Sequence, residues 1–156
     1  MNKIKFNFLL VLSFIVSAAI PNPPDLGVGS YVLYEPNTKK VLVSFNADEP
    51  VQPASLTKLM TSYVVADYIK EDFIRLDDTP KISINAWKTE GSRMFIREGT
   101  KVAVSDLIKG MIIQSGNDAS VALAEHVAGS EENFAYLMNE YASQLGMQNS
   151  SFNNAS

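Results

Sequence analysis

Residues 53–60, "PASLTKLM", place Ser55 three positions ahead of Lys58, behind a proline and at the head of an apolar run. On a helix that spacing puts both side chains on one face. Two readings are open. Ser55 is either a helix N-cap with Lys58 facing solvent, or a nucleophile with Lys58 as its base. The second reading makes physical demands. A serine hydroxyl needs a base within hydrogen-bond reach, and a lysine serves as one only when burial destabilises its ammonium. The partial positive charge of a helix N-terminus would favour the developing alkoxide. Alone, the pair is weak evidence, since a chain of this composition has about an even chance of holding one by accident.

Outward from this stretch, a first helix is predicted over Ser55–Lys70. Leu56, Leu59, Met60, Tyr63, Val64, Val65 and Ile69 lie around most of its circumference, the pattern of a buried helix. Upstream, "SYVLYEPNTKKVLVSFN" alternates Val32 and Tyr34, then Val41, Val43 and Phe45, about a Pro36-Asn37 turn, which reads as a β-hairpin. Downstream, "TPKISINAW" suggests a short strand, and "KTEGSRMFIREGTKVAVS" a loop with one or two strand pieces. A second helix is expected from Ser105, read as its N-cap, through Ile113. Ser115-Gly116-Asn117 interrupts it. A third helix, "NDASVALAEHVA", stops at Gly129, and a fourth, opened by Ser130, ends at Gly146.

Composition narrows the function classes. The chain has 156 residues, 46% hydrophobic and 19% charged, an ordinary globular balance. A net charge of −4 with no basic run argues against nucleic acid as a partner. There is no cysteine and one histidine, so no thiolate metal site and no histidine cluster exist; no metal and no cofactor are expected. His126 is read as structural or surface, and Trp87 as packing.

The N-terminus carries Lys3 and Lys5, the apolar run "FLLVLSFIV", then "SAAIPNPP". That is the order of a secretory signal peptide, with cleavage after Ala19 or Ala18. The run falls short of the roughly 20 residues of a membrane span; an uncleaved anchor is the alternative. Residues 1–19 are therefore expected to be removed and 20–156 to form the working domain, outside the cytoplasm.

A second site bears on Ser55. Ser115-Gly116-Asn117 is either a plain interhelical turn or a pair of catalytic groups, a hydroxyl that relays a proton and an amide that binds a carbonyl. In penicillin-binding proteins and class A β-lactamases, S-x-x-K is followed by S-D-N and then by K-T-G. Here the middle residue is glycine.

With these motifs together, the sequence resembles the low-molecular-mass penicillin-binding proteins, serine D-alanyl-D-alanine carboxypeptidases of peptidase family S11. "SYVLYEPNTKKVLVSFNADEP" resembles the family's opening hairpin, "PASLTKLMTSYVV" its nucleophile helix, and "GSRMFIREGTKVAVSDLIKGMIIQSGNDASVALAEHVAGSEENFAYLMNEYASQLGM" its helical subdomain. The resemblance implies an α+β, β-lactamase/transpeptidase-like fold, with an antiparallel sheet and a helical subdomain. It implies Ser55 as the acylated nucleophile, Lys58 as its base, Ser115 as proton relay, Asn117 as the group holding the substrate's amide, and Ser92 on a loop bordering the cleft. The implied partners are peptidoglycan stem peptides ending in D-Ala-D-Ala, and β-lactam antibiotics. The implied location is the periplasm, at the face of the inner membrane, with tethering by a C-terminal amphipathic helix.

One part of the pattern is missing. No Lys-Thr-Gly occurs in the sequence, and Lys88-Thr89-Glu90-Gly91 is a polar-loop look-alike in the wrong place. The expectation is that the 156 residues are the N-terminal part of the catalytic domain, with little activity alone and a poorly supported hairpin. The rival readings are a β-lactamase or D,D-endopeptidase of the same fold, and a non-catalytic cell-wall-binding paralogue.

Overall fold

A computed structural model describes residues 24–156. The signal peptide expected over residues 1–19 lies outside the described residues. The chain divides into two units, one up to Pro50 and one from Val51 to Ser156.

The described part of the first unit contains the hairpin. Strands β1 (Tyr31–Glu35) and β2 (Lys40–Phe45) pair antiparallel around the expected turn. Val43 faces Leu33 but Val41 faces Tyr34, so Leu42 is an extra residue, a β-bulge. The simple alternation read from sequence is corrected accordingly. Val43 and Phe45 share a face with Leu33 and Tyr31, while Val41 lies with Tyr34 on the other. Tyr31 and Phe45 stack at 5.9 Å between ring centroids. Apolar residues of both faces, Leu33 and Val41 among them, are exposed.

The second unit is helical: α1 (Thr57–Lys70), α2 (Ile84–Lys88), α3 (Val104–Ile113), α4 (Asn117–Ala128) and α5 (Glu131–Gln144). Helix α4 is central and packs against the other four. Its residues 118–124 are all buried, and Ala119, Ser120, Ala122 and Ala124 are small enough to let neighbours approach on several sides. Val64, Val65, Leu107, Met111, Leu123, Phe134 and Met138 complete the core. At the end of α4, Gly129 takes the left-handed conformation (φ +79°) that favours glycine, and Ser130 then caps α5 through Asn133 N.

Three expectations need correction. The strand expected in "TPKISINAW" is a single bridge between Lys81 and Lys101, after which Ser83 Oγ accepts from Ala86 N and opens α2. The N-terminal turn of α3 starts earlier than expected: its N-cap is Ala103, with no side-chain cap, and Ser105 lies inside the helix. Helix α1 is buried on one side only, since Leu59 is 70% and Tyr63 49% exposed.

Candidate active site

Both serines sit where the backbone turns sharply. Pro53 leads into a short 3-10 turn, Ala54–Leu56, in which Leu56 N donates to Pro53 O at 3.0 Å. Ala54 has a φ of +48°, and Ser55 follows it directly. The first α-helical turn then carries Lys58 inward. Ser55 is not an N-cap: its side chain caps nothing, and the N-cap position of α1 is Leu56. At the second turn, α3 ends with the carbonyl of Gly110 accepting from both Gln114 N (3.2 Å) and Gly116 N (3.1 Å). Ser115, between them, lies in the left-handed region with φ +52°. A non-glycine residue there carries strain of the kind that accumulates at working sites.

These turns bring the four residues together. Lys58 is 6% exposed. Its Nζ lies 2.7 Å from Asn117 Oδ1 and 3.3 Å from Ser55 Oγ. Ser115 Oγ donates to Ser55 Oγ at 3.0 Å, so Ser55 Oγ receives both neighbours. Desolvation of the buried ammonium lowers the Lys58 pKa from its ordinary 10.5. The arrangement can hold a hydroxyl beside an amine disposed to give up its proton, with a second hydroxyl in the same chain of hydrogen bonds.

Asn117 is oriented from both ends. Its Oδ1 accepts from Lys58, and its Nδ2 donates to the carbonyl of Glu90 at 2.8 Å. Its backbone N–H donates to Ser92 O at 2.7 Å. Ser92 Oγ donates to Gln114 O. Ser92 thus borders the site, and its hydroxyl ties the loop to the end of α3. In the look-alike segment, Lys88 ends α2, while Glu90 contributes a backbone carbonyl and Gly91 close clearance. Gly91 has φ +90°, and a Cβ there would lie 2.6 Å from Asn117 Nδ2.

Sequence reasoning missed Asp118. Its carboxylate is 1% exposed. Oδ1 accepts from Met94 N (3.0 Å) and Ala119 N (2.9 Å), and Oδ2 from Ile96 N (3.2 Å). Residues 90, 92, 94 and 96 therefore meet the 114–118 turn, while Arg93 and Phe95 lie between them along the segment. The available signal was an acidic residue in the first turn of a helix, which only suggests capping. His126 lies outside the cluster and pairs with Asp78 through Nε2–Oδ2 at 3.2 Å, joining α4 to the turn at residues 75–78 between α1 and α2.

Comparison with known proteins finds clear relatives of the chain. The chain is 44% identical to D-alanyl-D-alanine carboxypeptidase DacC of Escherichia coli over 153 residues, 94% of this chain and 38% of that protein. It superposes on D-alanyl-D-alanine carboxypeptidase DacD of Francisella tularensis with a TM-score of 0.84 and 41% identity, covering 88% of this chain and 33% of that one. For penicillin binding protein 5 of Haemophilus influenzae the TM-score is 0.83 at 42% identity, covering 86% and 40%. The chain thus spans less than half the length of each. Its helices and small antiparallel sheet are part of the fold these proteins share, as expected. The family model for D-alanyl-D-alanine carboxypeptidases matches residues 17–156. The chain belongs to peptidase family S11.

Proposed function

We propose that the protein is a serine D-alanyl-D-alanine carboxypeptidase acting on peptidoglycan stem peptides. The observation that carries this reading is the placement of a nearly buried Lys58 ammonium between Ser55 Oγ and Asn117 Oδ1, with Ser115 Oγ on the same hydroxyl. Once Lys58 has lost its proton, it accepts the Ser55 hydroxyl proton as Oγ attacks the carbonyl between the two terminal D-alanines. Ser115 gives its hydroxyl proton to the leaving amine and takes up the one held by Lys58, so terminal D-alanine departs and Lys58 is neutral again. Water then attacks the ester carbonyl of the acyl-enzyme as Lys58 takes one of its protons, and that proton passes to Ser55 Oγ as the ester breaks, restoring the Ser55 hydroxyl. Asn117 commits one Nδ2 proton to Glu90 O, and the second is assigned to the substrate's carbonyl. Ser92 supports this group from the loop.

β-Lactams offer a similar amide in a strained ring and are expected to acylate the same oxygen. The reading includes export by residues 1–19 and work in the periplasm, at the face of the inner membrane, with 20–156 as catalytic-domain sequence. The sequence holds no Lys-Thr-Gly, so the 156 residues alone are expected to turn over poorly. By the family resemblance, the strand bearing that motif would supply one of two oxyanion donors, and loss of one such donor typically costs about 10²–10³ in rate.

The experiment is covalent labelling with a fluorescent penicillin, together with D-alanine release from a D-Ala-D-Ala peptide, on the protein as its gene encodes it. Labelling and release that both vanish in Ser55→Ala are expected. Labelling that survives Ser55→Ala would overturn the assignment of the nucleophile. Labelling without D-alanine release would point to a penicillin-hydrolysing or non-carboxypeptidase relative.

A further inference from the structure

Asp118 buries a carboxylate with no cationic partner among the described residues. Three backbone N–H groups, from Met94, Ile96 and Ala119, hold it instead. A buried charge without a counter-ion is costly unless its hydrogen bonds are complete, and here they join two segments distant in sequence. The first is residues 94–96. The second is the start of α4, where Asn117 is the adjacent residue. The irregular stretch held by Asp118 is also the one whose Glu90 and Ser92 carbonyls receive the Asn117 side chain and backbone. Gly116 leaves room for this arrangement, because a Cβ there would come within 3.1 Å of Asp118 Oδ1 and 3.3 Å of Met94 N.

We infer that Asp118 is a positioning residue for the acyl-transfer site: by pinning residues 94–96 to the start of α4, it sets the Asn117 amide against Lys58 Nζ. This inference rests on the peptidase reading for its kinetic consequence, although not for its structural one. Asparagine at 118 keeps one acceptor oxygen for Met94 and Ala119, but turns an N–H toward the N–H of Ile96. The 90–96 segment then loses its attachment on one side, and Asn117 loses the fixed position of the Glu90 carbonyl. Misplacing a positioning group by about 1 Å can cost on the order of 10²-fold in rate.

The test is a double-mutant cycle on the protein as its gene encodes it, with fluorescent-penicillin acylation rates corrected for the folded fraction. Asp118→Asn is expected to slow acylation about tenfold or more in the native background, and less than about twofold when Asn117 is already alanine. Equal slowing in both backgrounds would make Asp118 a stabilising residue only and overturn the inference. A second readout is independent of catalysis. Hydrogen exchange at the Asn117 side-chain amide is expected to speed up about tenfold in Asp118→Asn, and unchanged exchange overturns the inference. Should the unsubstituted protein fail to label, the peptidase reading falls and the exchange measurement still decides the role of Asp118. Gly116→Ala displaces the carboxylate without removing its charge. Where Asp118→Asn does not fold, Gly116→Ala replaces it with the same expected outcomes in both readouts.

Discussion

Lys58 Nζ lies closer to Asn117 Oδ1, at 2.7 Å, than to the Ser55 hydroxyl, at 3.3 Å. The lysine is therefore anchored by an amide on another helix, and the serine sits at the open side of that anchor. A base held this way must lose its proton without losing its place. Arginine cannot do so, because its guanidinium stays charged throughout the working pH range. Lys58→Arg is expected to keep a positive group near Ser55 and to lower the penicillin acylation rate by about 10²–10⁴-fold, the usual contribution of a positioned general base. Measurement of the acylation rate constant checks this, and near-native acylation would remove Lys58 from the role of base.

The same burial fixes the direction of the pH response. Lys58 is nearly enclosed, and desolvation holds its pKa below 10.5. Acylation is expected to rise with pH through that lowered value, giving an ascending limb below 10.5 that is absent in Lys58→Met. Stability moves the same way. Between the folded and unfolded pKa the unfolded chain binds more protons, so stability increases with pH across that window. Below it, the buried ammonium weighs against the folded state. Acylation rates and denaturation midpoints collected at the same series of pH values test both statements.

Gly91 marks how closely the neighbouring loop approaches Asn117. Its φ of +90° disfavours a side chain, and a methyl group there would lie 2.6 Å from Asn117 Nδ2. Gly91→Ala is expected to cost about 1 kcal/mol or more in stability, from backbone strain and the close contact. It should also slow acylation, because the amide must move from its place between Lys58 and Glu90. A thermal melt and a labelling time course measure the two effects separately. Full-rate labelling would mean that Asn117 adapts without consequence.

What could be read from sequence depended on the range of the interaction. Ser55 and Lys58 lie one turn apart, and the Ser115-Gly116-Asn117 turn is contiguous, so local spacing was enough to propose both. Their convergence is long-range, Lys58 and Asn117 being 59 positions apart, and was expected only through the family resemblance. Ile82 and Ile84, with Ser83 between them, mimic the alternation of a strand, while the Ser83 cap on Ala86 turns the chain into α2. Ala103 opens α3 without a side-chain cap, which hid the true start behind the better capping residue Ser105. Asp118 was opaque for a different reason. Its partners are backbone N–H groups of Met94 and Ile96, more than 20 residues away, and a backbone donor leaves no mark in the sequence.

The hairpin turn supplies a prediction independent of the catalytic groups. Glu35 ends β1 and curls over the turn. Its carboxylate accepts from the Thr38 hydroxyl and N–H and from both the backbone and side-chain N–H groups of Asn37. These bonds, Thr38 first, hold its pKa at about 2, below the ordinary 4.5. A carboxylate whose folded pKa is depressed contributes its stabilisation above the unfolded value and loses it as pH falls through the folded one. The turn is therefore expected to loosen between about pH 4.5 and pH 2, with the Asn37 and Thr38 amides exchanging faster, relative to their intrinsic rates, as Glu35 gains its proton. Glu35→Gln keeps an acceptor oxygen but no charge, so it should show the loosened turn already at neutral pH and no further change in that window. NMR titration of the Glu35 side chain, with amide exchange at Asn37 and Thr38, gives both quantities. A Glu35 pKa near 4.5 would show that the turn does not hold the carboxylate in solution.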